Sequence, residues 1–234
     1  MNKIENKRFF MEKSLDKNSI VNIQNQELIN CIFDNCSIGT EDNLSKISYF
    51  KNIKMTDCTI LNCMVGPTIF EDVLIKNLKT GDIAIFDLPL LRHVKIEGKV
   101  GNLKINNIGF TLEKSLSKKK ELLDLKNKFY ETVDWALDIS CAKFIDFYCL
   151  GIPTHLIKIN NENQFIAKKN NIIKSGILDS DFSIQNPVVG IMLQFLIDSD
   201  ESETVLAAPM AKAKKQRDLI LSGLLELRSQ GILE

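Results

Sequence analysis

Apolar side chains recur at every fifth position between Ile53 and Leu90, and this period constrains the fold more than any other feature of the chain. One column runs through Ile53, Cys58, Cys63, Thr68, Val73, Leu78, Ile83 and Leu88, and a second through Met55, Ile60, Val65, Phe70, Ile75, Thr80, Ile85 and Leu90. Of these 16 positions 14 are apolar, where a composition of 44% apolar residues would place about seven. A third column, Asp57, Asn62, Pro67, Asp72, Asn77, Asp82, Asp87 and Arg92, holds Asp or Asn at six of eight positions. Asp and Asn accept tight backbone bends, so the chain is expected to turn a corner at a fixed interval.

Each five-residue rung reads apolar, any, apolar, any, polar. Because side chains alternate along an extended backbone, two point inward and the polar residue marks the bend. A block further upstream obeys the same rule through Val21 and Ile23, Gln26 and Leu28, Cys31 and Phe33, Cys36 and Ile38, two residues out of phase with the later one. A loop at residues 39 to 47 accounts for the slip. With four rungs to a coil it would set Cys36 one coil below Cys58.

In CIFDNCSI at 31 to 38 and DCTILNCMVGPTIFEDVLIKNL at 57 to 78 the chain resembles the pentapeptide-repeat family, over about residues 21 to 105 and again over 137 to 149. The resemblance implies a right-handed parallel β-helix of about four faces per coil. The usual family pattern places Asp or Asn between the two inward residues, whereas here that column precedes the first of them.

The expected organisation is an N-terminal cap at 1 to 20, the solenoid at 21 to 110, a capping helix at 111 to 136 and a C-terminal α/β subdomain at 137 to 234. The helix follows from Leu122, Leu125, Phe129, Val133 and Ala136, spaced by three and four and expected to lie across the open end of the coil. Residues 137 to 149 return to fives through Leu137 and Ile139, Ala142 and Phe144, Phe147 and Cys149. Segments HLIKI and QFIAK read as a strand pair about an Asn-rich turn. Beyond them, Asn186 and Pro187 start an apolar helix, TVLAAP is a short strand, and a helix from about Ala211 to Gln230 closes on Gly231.

The 30 basic and 30 acidic side chains cancel, so no strongly electrostatic partner is written into the composition. The charged opening lacks the apolar run of a secretory signal, and no later stretch approaches the roughly 18 apolar residues of a spanning helix. The expectation is a bacterial cytoplasmic protein without a membrane partner, whose six cysteines are free thiols.

The gaps between Cys31 and Cys36 and between Cys58 and Cys63 suit zinc, but all four fall in the inward column, where thiols behave as small apolar residues. Packing is the preferred reading, with Cys36, Cys58, Cys63, Ile60, Val65, Phe70 and Ile75 as core. His93 and His155 have no nucleophile or carboxylate at a recognisable catalytic spacing. Asp179 with Asp181, and Asp198, Asp200, Glu201 with Glu203, read as solvated loops, with magnesium as the alternative, since a calcium loop would need a central Gly and a closing Glu. Lys212, Lys214, Lys215 and Arg217 open the last helix, where its dipole disfavours cations by a few tenths of a kcal/mol; they are the candidate partner-binding patch. Trp135 and Tyr130 are a cap or an interface anchor. No catalytic site, metal or cofactor is expected, because phosphate-cradling, dinucleotide, zinc-protease and nucleophile-elbow motifs are all missing from the sequence.

A solenoid presents long flat walls, so the leading expectation is a non-catalytic protein that binds another protein, most concretely an immunity or antitoxin-like or defence-accessory role. The resemblance also implies a DNA-mimicking protector of a type II topoisomerase as an alternative, although residues 21 to 105 carry 10 acidic and 9 basic side chains. Direct nucleic-acid binding is not expected. An enzyme housed in the α/β tail, built on His155 and the acidic loops, is the third reading.

Overall fold

A computed structural model describes residues 1–14, 21–39, 47–107 and 116–234. Short strands wind through it as a parallel β-solenoid of about five turns. The first coil holds β1 (Asn2–Glu5), β2 (Arg8–Phe10) and β3 (Lys13–Ser14), and the second β4 (Asn22–Ile29), β5 (Ile32–Asp34) and β6 (Ser37–Ile38). The third holds β7 (Ser48–Thr56), β8 (Thr59–Leu61) and β9 (Met64–Val65), and the fourth β10 (Thr68–Lys76), β11 (Lys79–Thr80) and β12 (Ala84–Asp87). In the fifth, β13 (Pro89–Asn106) continues round the bends as one long strand.

Register shows how the fives add up. Ile53 of β7 lies beside Val73 of β10, so one coil is 20 residues and four rungs. Bends fall where a left-handed backbone is least unfavourable: Asn25, Asn30, Asn35, Asn52, Asp57, Asn62, Asp72 and Asn77 all have φ between 50° and 55°. Stacked corners then bond along the axis, Asn30 Nδ2 donating to Asn6 Oδ1 at 2.7 Å, Asn52 Nδ2 to Asn25 Oδ1 at 2.6 Å and Asn77 Nδ2 to Asp57 Oδ1 at 2.9 Å. The Asp/Asn column is therefore both a turn former and a hydrogen-bonded rail.

Two expectations about phase are corrected. Gln26 pairs with Ile53, a separation of 27 residues, so the insertion between the second and third coils is seven residues rather than two. Cys31 consequently sits below Cys58 and Cys36 below Cys63, as the Thr59 N to Cys31 O and Met64 N to Cys36 O hydrogen bonds show. Residues 40 to 46 of the expected loop lie outside the described residues, as does Ile108. Further along, a bend at Gly81 and Asp82 takes up one extra residue. Thr68 now pairs with Pro89, Ala84 and Phe86 turn inward at 1% and 9% exposure, and Ile83 is left 43% exposed. The corners move with it, to Leu88 and His93 instead of Asp87 and Arg92.

Residues 2 to 14, expected as a separate cap, are themselves a coil, paired in parallel with β4, β5 and β6. By the register, Lys7 and Glu12 occupy the inward positions below Cys31 and Cys36. Inward charges on an edge strand oppose pairing with a further chain.

At the other end the chain leaves the solenoid, forms α1 (Leu116–Tyr130), and returns as β14 (Leu137–Cys149), which pairs with β13, and β15 (Ile157–Lys158). The three inward pairs expected in 137 to 149 are all at most 4% exposed. α1 seats Tyr130 in the core, with its hydroxyl 3.4 Å from Leu91 N. Closure of the last coil falls instead to the C-terminal subdomain: β16 (Gln164–Lys168), α2 (Lys169–Ser175), α3 (Asp181–Gln185), α4 (Pro187–Asp198), β17 (Glu203–Ala207) and α5 (Lys214–Ser229). QFIAK, expected to pair with HLIKI, pairs antiparallel with β17, while Ile157 and Lys158 extend the solenoid. Gln164 Nε2 donates to Ile139 O at 2.9 Å and the Thr204 hydroxyl to Cys149 O, so side chains of the hairpin occupy carbonyls of β14. Val205 and Ala207 of β17 join the solenoid core, while Phe165, Leu193, Leu196, Leu224 and Leu227 build a second core between the hairpin and its helices.

Candidate functional site

The cysteine columns resolve as packing. Cys31, Cys36 and Cys58 are at most 5% exposed, and no disulfide or group of metal-ligating side chains is found among the described residues. Each thiol instead donates weakly to a carbonyl of the coil below, Cys31 to Ile4 O at 3.5 Å, Cys36 to Phe9 O at 3.4 Å, Cys58 to Leu28 O at 3.5 Å and Cys63 to Phe33 O at 3.3 Å. Burial pushes the Cys58 and Cys63 thiols up from their usual range, away from thiolate reactivity. Of the expected core, Val65 and Ile75 are buried; Ile60, Cys63 and Phe70 are half-buried and border an internal cavity.

His93 resembles a catalytic base more in space than in sequence. Its Nδ1 lies 3.1 Å from Asp72 Oδ1 and its Nε2 2.6 Å from Asp134 Oδ1, and its ring packs tilted by 34° against Trp135 at 4.8 Å between centroids. The hydrogen bond with Asp134 raises its pKa, burial opposes this, and Asp72 adds to the rise. The arrangement has a structural origin. His93 is the left-handed corner residue above Asp72 and Asn52, so Asp72 is its neighbour on a corner rail, while Asp134 comes from the bend that follows α1. Both ring nitrogens face carboxylates, which leaves neither turned toward a reactant. Beside it, Glu71 accepts from Tyr49 at 2.7 Å and Lys51 at 2.5 Å, with Arg92 at 3.5 Å, while Arg92 donates to Thr132 at 2.9 Å. Sequence spacing missed this cluster because its partners are a coil apart, 21 and 41 residues from His93.

His155 is exposed on the turn Thr154–Leu156 and, among the described residues, gathers no catalytic partners. The acidic loop is largely structural: Glu203 accepts from Thr154 N at 3.1 Å and from its hydroxyl, and Glu201 meets Lys126 at 3.2 Å. Lys126 is only 8% exposed and also donates to Asn107 Oδ1 at 2.8 Å, tying α1, the solenoid and the tail together. Asp198 accepts from Gln194 at 2.7 Å, Asp179 lies on a 3₁₀ turn, and Asp181 is in the first turn of α3.

Lys214 and Lys215 are exposed at the start of α5, with Lys212 half-exposed just before it. Among the described residues these three have no ion-pair partner, whereas Arg217 pairs with Asp218 at 2.9 Å. The patch is present and solvent-facing, without further geometry that selects a ligand.

The feature that sequence reading passed over is α4. Its buried side carries Val189, Leu193 and Leu196, and its opposite side exposes Val188 at 44%, Ile191 at 56% and Phe195 at 48%, continued by Ile184 of α3 at 79%. Gln194 and Asp198 are its only polar side chains. A helix apolar on every side belongs in an interior, and this one is covered on one side, with Phe195 alone of the exposed four meeting an aromatic, the edge of Tyr148 at 5.1 Å. Composition signalled an apolar helix; the exposed side becomes visible only once the packed side is known.

Among the described residues the outer walls of the solenoid lack such a stripe. Lys54 bonds Glu27 at 2.8 Å and Lys76 bonds Glu97 at 3.5 Å across neighbouring coils, and Lys95 meets Glu97 at 3.2 Å along one strand, so charges of opposite sign are interspersed. No helix among the described residues is long and apolar enough to cross a membrane. Fold and surface together define a parallel β-solenoid closed by an α/β subdomain. No protein-family profile matches the chain, and no curated protein is similar to it.

Proposed function

We propose that this is a non-catalytic scaffold that binds another protein through the exposed face of α4 and α3. The observation that carries the reading is the stripe of Ile184 on α3 with Val188, Ile191 and the half-exposed Phe195 on α4, an exposed apolar face on a helix with almost no polar side chains. Clustered aliphatic side chains with an aromatic at one end are the composition of an interface core, and interspersed charges on the walls favour solubility over adhesion. The lysines at 212, 214 and 215 supply a cationic region on the same subdomain for an acidic rim. In this reading the pentapeptide-like solenoid is the rigid support, and the concrete role is that of an immunity or defence-accessory protein in a bacterial cytosol. Mimicry of DNA draws no support from walls whose charges are of both signs, interspersed.

Capture from the native host with the wild-type protein and with an Ile184→Asp, Ile191→Asp double variant tests the proposal. A stoichiometric protein partner is expected with the first and lost with the second at unchanged melting temperature. Recovery of no such partner, or equal recovery by both, would refute it.

A further inference from the structure

The solenoid shaft is not filled. Its lower part holds a cavity of about 480 Å³ that opens to solvent, bordered from all four faces of the coil and from each of the first four coils. Protein interiors pack as densely as organic crystals, and apolar voids of about 150 Å³ already take up small hydrocarbons. A space three times that size, within the range of small-molecule sites, is beyond what imperfect packing leaves.

Its shape follows from the repeat. First inward places on the cavity wall include the small Cys36 and Cys63, whereas second places there are larger, Phe33, Phe50 and Ile60 among them. The small column leaves a channel along the axis beside the large one. Four coils at the sheet spacing of about 4.8 Å span roughly 14 Å, which gives the channel a mean section of about 30 Å². That section admits one unbranched alkyl chain and excludes fused rings. A length of roughly 14 Å holds about 11 methylenes at tetrahedral single-bond geometry.

Polar lining is confined to the first two coils. Asn2 and Glu12 border the cavity there with Gln26, whose Oε1 is buried and has no hydrogen-bond partner among the described residues. Glu12 is exposed at the mouth, whereas Gln26 Oε1, a buried acceptor without a donor, is satisfied by a ligand that brings one. Lys7, on the same coil, has its ammonium over the Phe9 ring at 4.5 Å.

We propose that the shaft binds a single-chain amphiphile of about 11 carbons, with its alkyl tail along the axis and a hydrogen-bond-donating head, an amine or alcohol, at Gln26 and Glu12. This site is separate from the face of α4 and stands whether or not that face docks a partner.

Isothermal titration calorimetry of the full chain with n-alkyl amines from hexylamine to hexadecylamine, below their micelle concentrations, tests it. Affinity is expected to rise about fourfold with each methylene and to level off near 11 carbons, where the shaft ends. Absence of binding at every length, or a rise that continues unbroken to 16 carbons, would overturn the proposal. Ile60→Phe fills the channel and should abolish dodecylamine binding without loss of melting temperature. If that variant does not fold by circular dichroism, Cys63→Leu fills it from another face, and dodecylamine binding by a folded, filled variant at wild-type affinity counts against the site. Gln26→Leu should weaken dodecylamine about tenfold and keep the chain-length dependence. Tighter binding of dodecanoate than of dodecylamine would overturn the assigned head.

Discussion

Gln164 joins the two parts of the molecule, and its replacement gives the sharpest test of how the solenoid is closed. The side chain is 1% exposed; its Nε2 donates to Ile139 O at 2.9 Å and its Oε1 accepts from Asn160 N at 2.9 Å. Gln164→Ala removes both partners at once. Each buried polar group left without its partner costs about 1–3 kcal/mol, and because Asn160 is only half-buried the sum should be about 2–4 kcal/mol. For a chain of this length that corresponds to a fall in melting temperature of roughly 4–16 °C. Gln164→Glu separates the donor from the acceptor. It retains the oxygen facing Asn160 but sets a carboxylate against the Ile139 carbonyl, so burial and repulsion raise its folded pKa above the unfolded value of about 4.3. Below that value the neutral acid can donate to Ile139 O and the penalty is small; as pH rises above it the folded state must give up a tightly held proton and the penalty grows. Thermal melts of wild type, Gln164→Ala and Gln164→Glu at pH 7 and pH 4.5 read both effects. A melting temperature within about 2 °C of wild type for Gln164→Ala, or a Gln164→Glu penalty no smaller at pH 4.5, would refute the assignment of this residue as the tie between the subdomain and the last coil.

Three further outcomes are expected. In the folded protein a thiol reagent should label Cys141 rapidly, the half-buried Cys63 slowly and the other four cysteines only on unfolding, since Cys141 alone is exposed; fast labelling of Cys58 would contradict the inward column. Ile83→Asp should change stability by no more than about 0.5 kcal/mol, whereas Ala84→Asp, which places a charge at a position 1% exposed, should prevent folding; equal effects in urea melts would refute the one-residue phase shift. Because the folded pKa of His93 is raised, its contribution to stability is complete below about pH 6.5 and is lost as pH rises through the folded value, so stability should decline on that limb in wild type and not in His93→Gln; parallel pH profiles would refute the corner-rail assignment.

Period, inward columns and corner chemistry were legible in the sequence because each is a property of neighbouring residues: alternation along an extended strand sorts Cys58 and Ile60 to one side, and a left-handed bend selects Asn or Asp within the same five residues. Register was legible only modulo five. Inserting two residues or seven produces the same phase, and only the pairing of residues 27 apart places Cys31, rather than Cys36, beneath Cys58. The extra residue near Gly81, the carboxylates on either side of His93, the closure of β14 by Gln164 and Thr204, the open shaft and the exposed side of α4 belong to the tertiary structure for the same reason. Each depends on contacts between distant segments, and a local pattern records which way a side chain points but not what, if anything, it meets there.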